Sequence, residues 1–374
     1  MTPSPSKKFR VLIVDDSAFM RKVLETIFNA DDQLQVVGQA KDGREAVALA
    51  ESLKPDVITM DINMPHVDGL QATAQIMTTN PRPIVIVSSE SKEGAASTLK
   101  ALELGAIEFV AKPSGAIDLD MNSVKEELLR KVRMAAKVRV VRTASRLAST
   151  LQGNNGAGPV AKPIAVRPAS TASSDQRFPV VVLAASTGGP ATVMRLAPGF
   201  TKDFPAAVIL VQHMPAAFTS QYAAQLEEFT EISVKEAAAN DVLQPGTLYI
   251  CPGGQHLRVS PTGRIQLDST TGRLNGYLPN IDVTLESVAA FAGSMSIAAI
   301  LTGMGNDGAA GAKAIKSAGG IVLAQDEATS VIFGMPAEAI KSGAVEQTLP
   351  IDDIYSAIEK RVLTLSRATP VGAR

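Results

Sequence analysis

The sequence predicts an α/β protein built from two doubly wound parallel-sheet domains joined by a linker. Three observations carry this. Short β-branched runs alternate with helical patterns through residues 8–135. The composition then shifts between 136 and 177 to Ala, Ser, Thr, Gly and Pro, as in QGNNGAGPVAKPIAVRPASTASS, which reads as a flexible linker. From Phe178 to about residue 368 the alternation resumes with new apolar runs.

In the first domain the strand candidates are Arg10–Val14, Gln35–Gly38, Asp56–Met60, Ile84–Val87 and Glu108–Val110. Between them lie SAFMRKVLETIF, GREAVALAESL, LQATAQIM and AASTLKALELG, with apolar residues at helical spacing and Gly105 as a C-cap. A last helical segment, VKEELLRKVRMAAKVRV, closes the unit. The second domain offers PVVVLAA, AAVILVQ, LYIC, SIAAILT and GIVLAQ as strands. HLRVSPTGRIQL alternates by twos around a P-T-G turn and predicts an antiparallel hairpin.

Whole-chain properties exclude several classes. A formal net charge of -1 argues against a nucleic-acid binder. One cysteine, Cys251, excludes an intramolecular disulfide framework and suits a reducing compartment. The N-terminus, MTPSPSKKFR, has no apolar core of signal-peptide length and no stretch reaches the length of a membrane span, so a cytoplasmic protein without membrane insertion is expected. With three histidines, His66, His213 and His256, and no H-x-x-x-H or C-x-x-C spacing, metal-dependent hydrolysis has little to stand on.

Asp15 and Asp16 end the first strand and Asp61 ends the third. In a doubly wound sheet these positions share one crevice, where three carboxylates call for a cation, and hard oxygen ligands suit Mg²⁺. Ser88 ends the fourth strand and Lys112-Pro113 follows the fifth, a hydroxyl and an ammonium at the same rim. The segments DDS, MDINMPHVDG, IVIVSS and FVAKP, in this order, resemble the response-regulator receiver family, whose fold is flavodoxin-like. The resemblance implies Asp61 as phosphoacceptor and Asp15, Asp16, Asp61 and the Asn63 carbonyl as Mg²⁺ ligands. It further implies Ser88 and Lys112 as phosphoryl-sensing residues and Phe109 as the aromatic switch. His66 reads as a surface residue.

In the second domain Ser186 follows PVVVLAA and precedes T-G-G-P, at a strand-to-helix turn. His213 follows AAVILVQ, and Asp307 follows IAAILT within G-M-G-N-D-G. All three lie at or beyond carboxyl ends of apolar strands, which in a parallel sheet open into one crevice, and they are the residue types of a Ser–His–Asp triad. Asp307 is also placed to cap the helix AAGAKAIKSAG, and His256, after a P-G-G turn, competes for the base role. A rival reading is dinucleotide binding. Gly303-Met304-Gly305-Asn306-Asp307-Gly308 spells G-x-G-x-x-G, and Asp326 ends the next strand as a ribose-binding acid would.

AASTGGP, ILVQHMP, CPGGQH, LTGMGNDGAAG and VIFGMPAEAI occur in the order seen in the chemotaxis protein-glutamate methylesterase family, CheB, which this domain resembles. The resemblance implies a Rossmann-like catalytic domain with Ser186 as nucleophile, His213 as base, Asp307 as its orienting partner, and Met304 and Thr187 on the oxyanion side. It implies hydrolysis of glutamate γ-methyl esters on the cytoplasmic helices of methyl-accepting chemoreceptors, with glutamine deamidation as a second activity. A histidine kinase of the chemotaxis type would be the phosphodonor, Mg²⁺ would serve the receiver, and ester hydrolysis would need no cofactor. The receiver is expected to pack over the catalytic crevice. Ahead of Pro279-Asn280-Ile281-Asp282-Val283 the family commonly carries a basic N-R-x-R stretch. Here it reads Asn275-Gly276-Tyr277-Leu278.

Overall fold

A computed structural model describes residues 8–88, 92–112, 121–138 and 178–368. Almost all of the predicted linker, from 139 onward, and Pro113 lie outside the described residues. In the first domain β1 (Phe9–Val14), β2 (Leu34–Ala40), β3 (Val57–Met60), β4 (Ile84–Ser88) and β5 (Glu108–Ala111) alternate with α1 (Ala18–Asn29), α2 (Gly43–Leu53), α3 (Gly69–Thr79), α4 (Lys92–Glu103) and α5 (Met121–Ala135). The strands form a parallel sheet in the order β2-β1-β3-β4-β5. Helix starts follow from side chains that satisfy free N–H groups. Ser17 accepts from the Met20 N–H, Asp42 from Arg44 and Glu45, and Asp68 forms a capping box with Gln71.

The second domain comprises β6 (Val180–Ala185), α6 (Gly189–Leu196), β7 (Ala207–Gln212), α7 (Ala216–Phe229), β8 (Ser233–Glu236), β9 (Thr247–Ile250), β10 (His256–Val259) and β11 (Ile265–Asp268). It continues with α8 (Ile281–Ala292), β12 (Ser296–Ile300), α9 (Ala309–Ser317), β13 (Ile321–Gln325), α10 (Met335–Lys341), β14 (Gln347–Leu349) and α11 (Ile351–Ala368). Seven strands make a parallel sheet in the order β14-β13-β12-β6-β7-β9-β8, and β10 and β11 form the predicted antiparallel hairpin. Strands β6 and β7 are buried at every position, as a parallel sheet covered on both faces requires. The chain moves outward from β6 through β7 to the edge strand β8, comes back to lay β9 between β7 and β8, then crosses to β12 on the other side of β6. The switch in strand order therefore falls between β6 and β12, where a crevice opens at the carboxyl ends.

The two domains meet along α4, β5 and α5 of the first. Phe109 on β5 packs its ring on Phe218 of α7, centroids 4.4 Å apart, and Glu103 on α4 accepts a hydrogen bond from Gln225 of α7. Behind Phe109, Lys131 of α5 donates to the Phe109 carbonyl at 2.8 Å and pairs with Glu127 at 2.9 Å. Burial raises the Glu127 carboxyl, but Lys131, Arg130 and Arg273 of the second domain together bring it below the usual range. Apolar packing is continuous across this seam, from Leu99 and Phe109 to Phe218 and Leu226.

Candidate active site

Ser186 is the first residue after β6, and its N–H donates to the Thr302 carbonyl at 3.0 Å, tying the turn to the loop after β12. His213 is the first residue after β7, its N–H held by the Ala185 carbonyl at 3.1 Å. Register between adjacent parallel strands thus sets the two side chains next to each other. His213 Nδ1 lies 3.1 Å from Ser186 Oγ, and His213 Nε2 lies 2.8 Å from Asp307 Oδ2. The His213 side chain keeps 13% of its surface exposed and Asp307 none, so the array is shielded but open on the serine side.

Asp307 arrives from the loop between β12 and α9. Its Oδ2 also accepts the Ile281 N–H at 2.8 Å and its Oδ1 the Asp282 N–H at 3.0 Å. These are the first two N–H groups of α8, so the carboxylate sits at a helix N-terminus, where free donors and the helix dipole favour negative charge. This corrects one sequence expectation. Asp307 does not cap the helix that follows it; Gly308 is the N-cap of α9, with no side-chain cap bond, and Asp307 turns instead to α8.

With Asp307 acting through Nε2, the neutral imidazole carries its proton there and leaves Nδ1 to accept from Ser186. The ring is thus reversed relative to the better-known arrangement in which Nε2 faces the serine. Gln212 adds a support that the sequence did not reveal. Its buried side-chain amide donates to the main-chain carbonyls of both Ser186, at 2.8 Å, and His213, at 3.2 Å. Thr187 and the Met304 loop flank Ser186. Among the described residues the N–H groups of Thr187 and Met304 make no main-chain hydrogen bond.

His256 is a structural residue. It is fully buried, Nδ1 accepts the Asn280 N–H at 3.1 Å and Nε2 faces the Gly272 carbonyl at 3.1 Å. The dinucleotide reading loses both its elements. Asp307 occupies the loop that would cradle phosphate, and Asp326 closes its own turn by accepting from the Thr329 N–H and hydroxyl at 2.9 and 2.6 Å.

In the first domain Asp15, Asp16 and Asp61 bring carboxylate oxygens within 4.8 Å of one another. Such a set of hard oxygens fits a divalent cation of the Mg²⁺ type. Lys112 Nζ bridges Asp61 at 2.7 Å and Asp15 at 2.9 Å. Burial works against the Lys112 charge, yet bonds to the two carboxylates outweigh it and hold the ammonium above its ordinary pKa. Burial pushes Asp61 up, with Lys112 opposing. Ser88 is buried at the end of β4, Asn63 is exposed two residues beyond Asp61, and His66 is exposed at φ 67°.

Residues 181–358 match the family model described as CheB methylesterase, and residues 11–122 match the response regulator receiver domain. A protein of Pyrococcus abyssi named protein-glutamate methylesterase/protein-glutamine glutaminase is 40% identical over 363 residues, covering 96% of this chain and 95% of its own. A protein of the same name from Symbiobacterium thermophilum is 41% identical over 366 residues, covering 97% and 99%. The chain belongs to the CheB methylesterase family. The crystal structure of the Thermotoga maritima CheB methylesterase catalytic domain is 39% identical to it, covering 50% of this chain and 99% of that one, at a TM-score of 0.48.

Beside the crevice of this CheB-family chain stands a second carboxylate, Asp282. Burial pushes its pKa up to about 6, with the charge of Asp307 adding to the rise, although the Gly311 N–H donates to it at 2.7 Å. Between pH 4 and about 6 the folded chain therefore holds this proton more tightly than the unfolded one. Stability from this group is full below pH 4 and declines as pH rises to about 6. Asp282→Asn keeps an acceptor for Gly311 and removes the ionisation. Its melting temperature relative to wild type is expected to be higher at pH 7.5 than at pH 4, and an offset unchanged between the two would exclude Asp282 as the source.

Proposed function

We propose that this chain is a phosphorylation-gated serine hydrolase that cleaves glutamate γ-methyl esters on chemoreceptor helices, releasing methanol, and deamidates receptor glutamines by the same route. The observation that carries this reading is the hydrogen-bonded series Ser186–His213–Asp307 at the switch point of the second sheet, in a chain of this family. Residues 178–368 would be the catalytic domain, 8–135 the receiver and 136–177 the linker between them.

In the proposed reaction His213 Nδ1 takes the proton of Ser186 Oγ as the oxygen attacks the ester carbonyl. Asp307 holds the ring through Nε2 and stabilises the imidazolium that forms. The oxyanion forms beside the N–H groups of Thr187 and Met304. The imidazolium gives its proton to the departing methoxide, and methanol leaves an acyl-serine. Water, deprotonated by the same imidazole, then releases the glutamate. With a glutamine the first leaving group is ammonia and the acyl intermediate is identical. No step calls on a cofactor.

Control would begin at Asp61, phosphorylated by a chemotaxis-type histidine kinase, with Asp15, Asp16, Asp61 and the Asn63 carbonyl holding Mg²⁺, which neutralises charge during phosphoryl transfer. Ser88 and Lys112 would engage the phosphoryl group. Phe109, between Lys131 and Phe218, links that event to α7, whose first residue lies three positions after His213. A chain of this kind acts in the cytoplasm; no described helix is long and apolar enough to cross a membrane. A cleft of about 390 Å³ beside the triad loop is lined by Lys313 and Lys341 and also by Asp282 and Glu338, so its wall carries charge of both signs. The deciding experiment is methanol release from methylated receptor-bearing membranes incubated with the pure chain, acetyl phosphate and Mg²⁺. No methanol above the enzyme-free control would sink the reading.

A further inference from the structure

The segment that departs from the family's basic pattern lands on the triad. Leu274 and Tyr277 exchange two main-chain hydrogen bonds, both 3.0 Å, around Asn275 at φ 51° and Gly276 at φ 89°. That is a two-residue hairpin turn with positive φ at both central positions, the conformation that Asn-Gly favours over other pairs. The turn fixes the direction of Tyr277. The Tyr277 ring lies face to face on the His213 imidazole, with centroids 4.5 Å apart and planes 15° from parallel.

The far end of Tyr277 reaches the other wall of the crevice. Its hydroxyl lies against the α-carbon of Gly305, at φ 89°, and a Cβ at that position would collide with it. Gly305 sits between Met304 and Asp307. One aromatic side chain therefore spans from the base to the loop that supplies both the oxyanion-side N–H and the orienting carboxylate. Burial, with the charge of Asp307, raises the Tyr277 pKa, so the ring is a neutral phenol at working pH.

The two hydrogen bonds of His213 lie in the imidazole plane. They fix its in-plane direction but resist tilting out of that plane only weakly. A flat ring stacked on one face supplies the missing restraint. It also offers a π surface to the ring when it carries positive charge, a favourable pairing. We propose that Tyr277 is a positioning residue of the hydrolysis, holding the plane of His213 and supporting the imidazolium formed in acylation and again in deacylation.

This rests on the reading of Ser186 as nucleophile, and the test separates the two. Full-length chain with acetyl phosphate and Mg²⁺ is assayed on p-nitrophenyl acetate, a small ester that makes no receptor contacts. The rate of fluorophosphonate labelling at Ser186 is followed in parallel. Tyr277→Phe keeps the stacked ring and is expected to hold kcat within about twofold. Tyr277→Leu removes it and is expected to lower kcat about tenfold, with KM nearly unchanged and labelling slowed to match. Should Tyr277→Leu not fold, Tyr277→Met serves the same comparison. A Leu or Met variant with wild-type kcat would reduce Tyr277 to hairpin packing, and a faster one would make the ring an obstruction; either overturns the proposal. Retention of activity by Ser186→Ala would overturn the nucleophile assignment instead.

Discussion

Ser186→Ala is expected to lower esterase turnover by at least about 10³-fold while leaving the fold in place. The side chain lost is small and at a rim. Its oxygen meets only His213 among the side chains described, so no buried donor is left without a partner. His213→Gln should fall to a similar level, because members of such an array act as a unit and their losses do not add. Asp307→Asn is a less clean test. An amide there would turn an N–H₂ toward donors at Ile281, Asp282 or His213, so loss of rate would be mixed with loss of stability. The measurement is kcat on a methyl-ester substrate with circular dichroism of each variant. A folded Ser186→Ala chain with more than a tenth of wild-type activity would remove serine from the chemistry.

Control by the first domain carries the other large effect. Acetyl phosphate with Mg²⁺ should raise the rate several-fold, and Asp61→Asn should abolish that rise without lowering the unstimulated rate. A chain beginning at Phe178 should be active with no phosphodonor, because Phe109, Glu103 and Lys131 no longer press on α7 and its surroundings. The physical basis is the seam, an aromatic pair backed by the Lys131 ammonium within continuous apolar packing, which a phosphorylated first domain would have to rearrange. If the shortened chain is slower than the full unphosphorylated one, the first domain supports the crevice and does not restrain it.

Much of this was legible in the sequence because central parallel strands are apolar throughout. VLIV, VVVLAA and AVILVQ announce themselves as runs, and the residues that end them fall into the crevice by topology alone. The edge strands β8 and β14 went unread. Their residues, SVKE and QTL, are partly exposed and mix charged or polar residues with apolar ones, so no run marks them. Asp307 was readable as an acid near the crevice, but not as the cap of α8, whose first residues lie 25 positions upstream. The role of Gln212, and the place of Tyr277 on His213 within a segment marked only by its departure from the family pattern, were hidden for a related reason. An amide that braces two main-chain carbonyls, and a ring placed by a hairpin turn, leave no spacing pattern along the chain.

The double engagement of Asp307 Oδ2 has a bearing on how such a protein can change over generations. One oxygen orients the imidazole and starts a helix, so the reaction and the architecture cannot be altered separately at this point. Substitutions that retune the triad must rebuild the beginning of α8 in the same step, a path that single mutations rarely complete. The Asn275-Gly276 turn is constrained by its backbone alone: it is exposed, with open space around Gly276, but both residues hold positive φ one step from a ring resting on the base. Descendants are therefore expected to keep residues that tolerate the left-handed backbone at this turn, while Asp307 and the first turn of α8 stay fixed together.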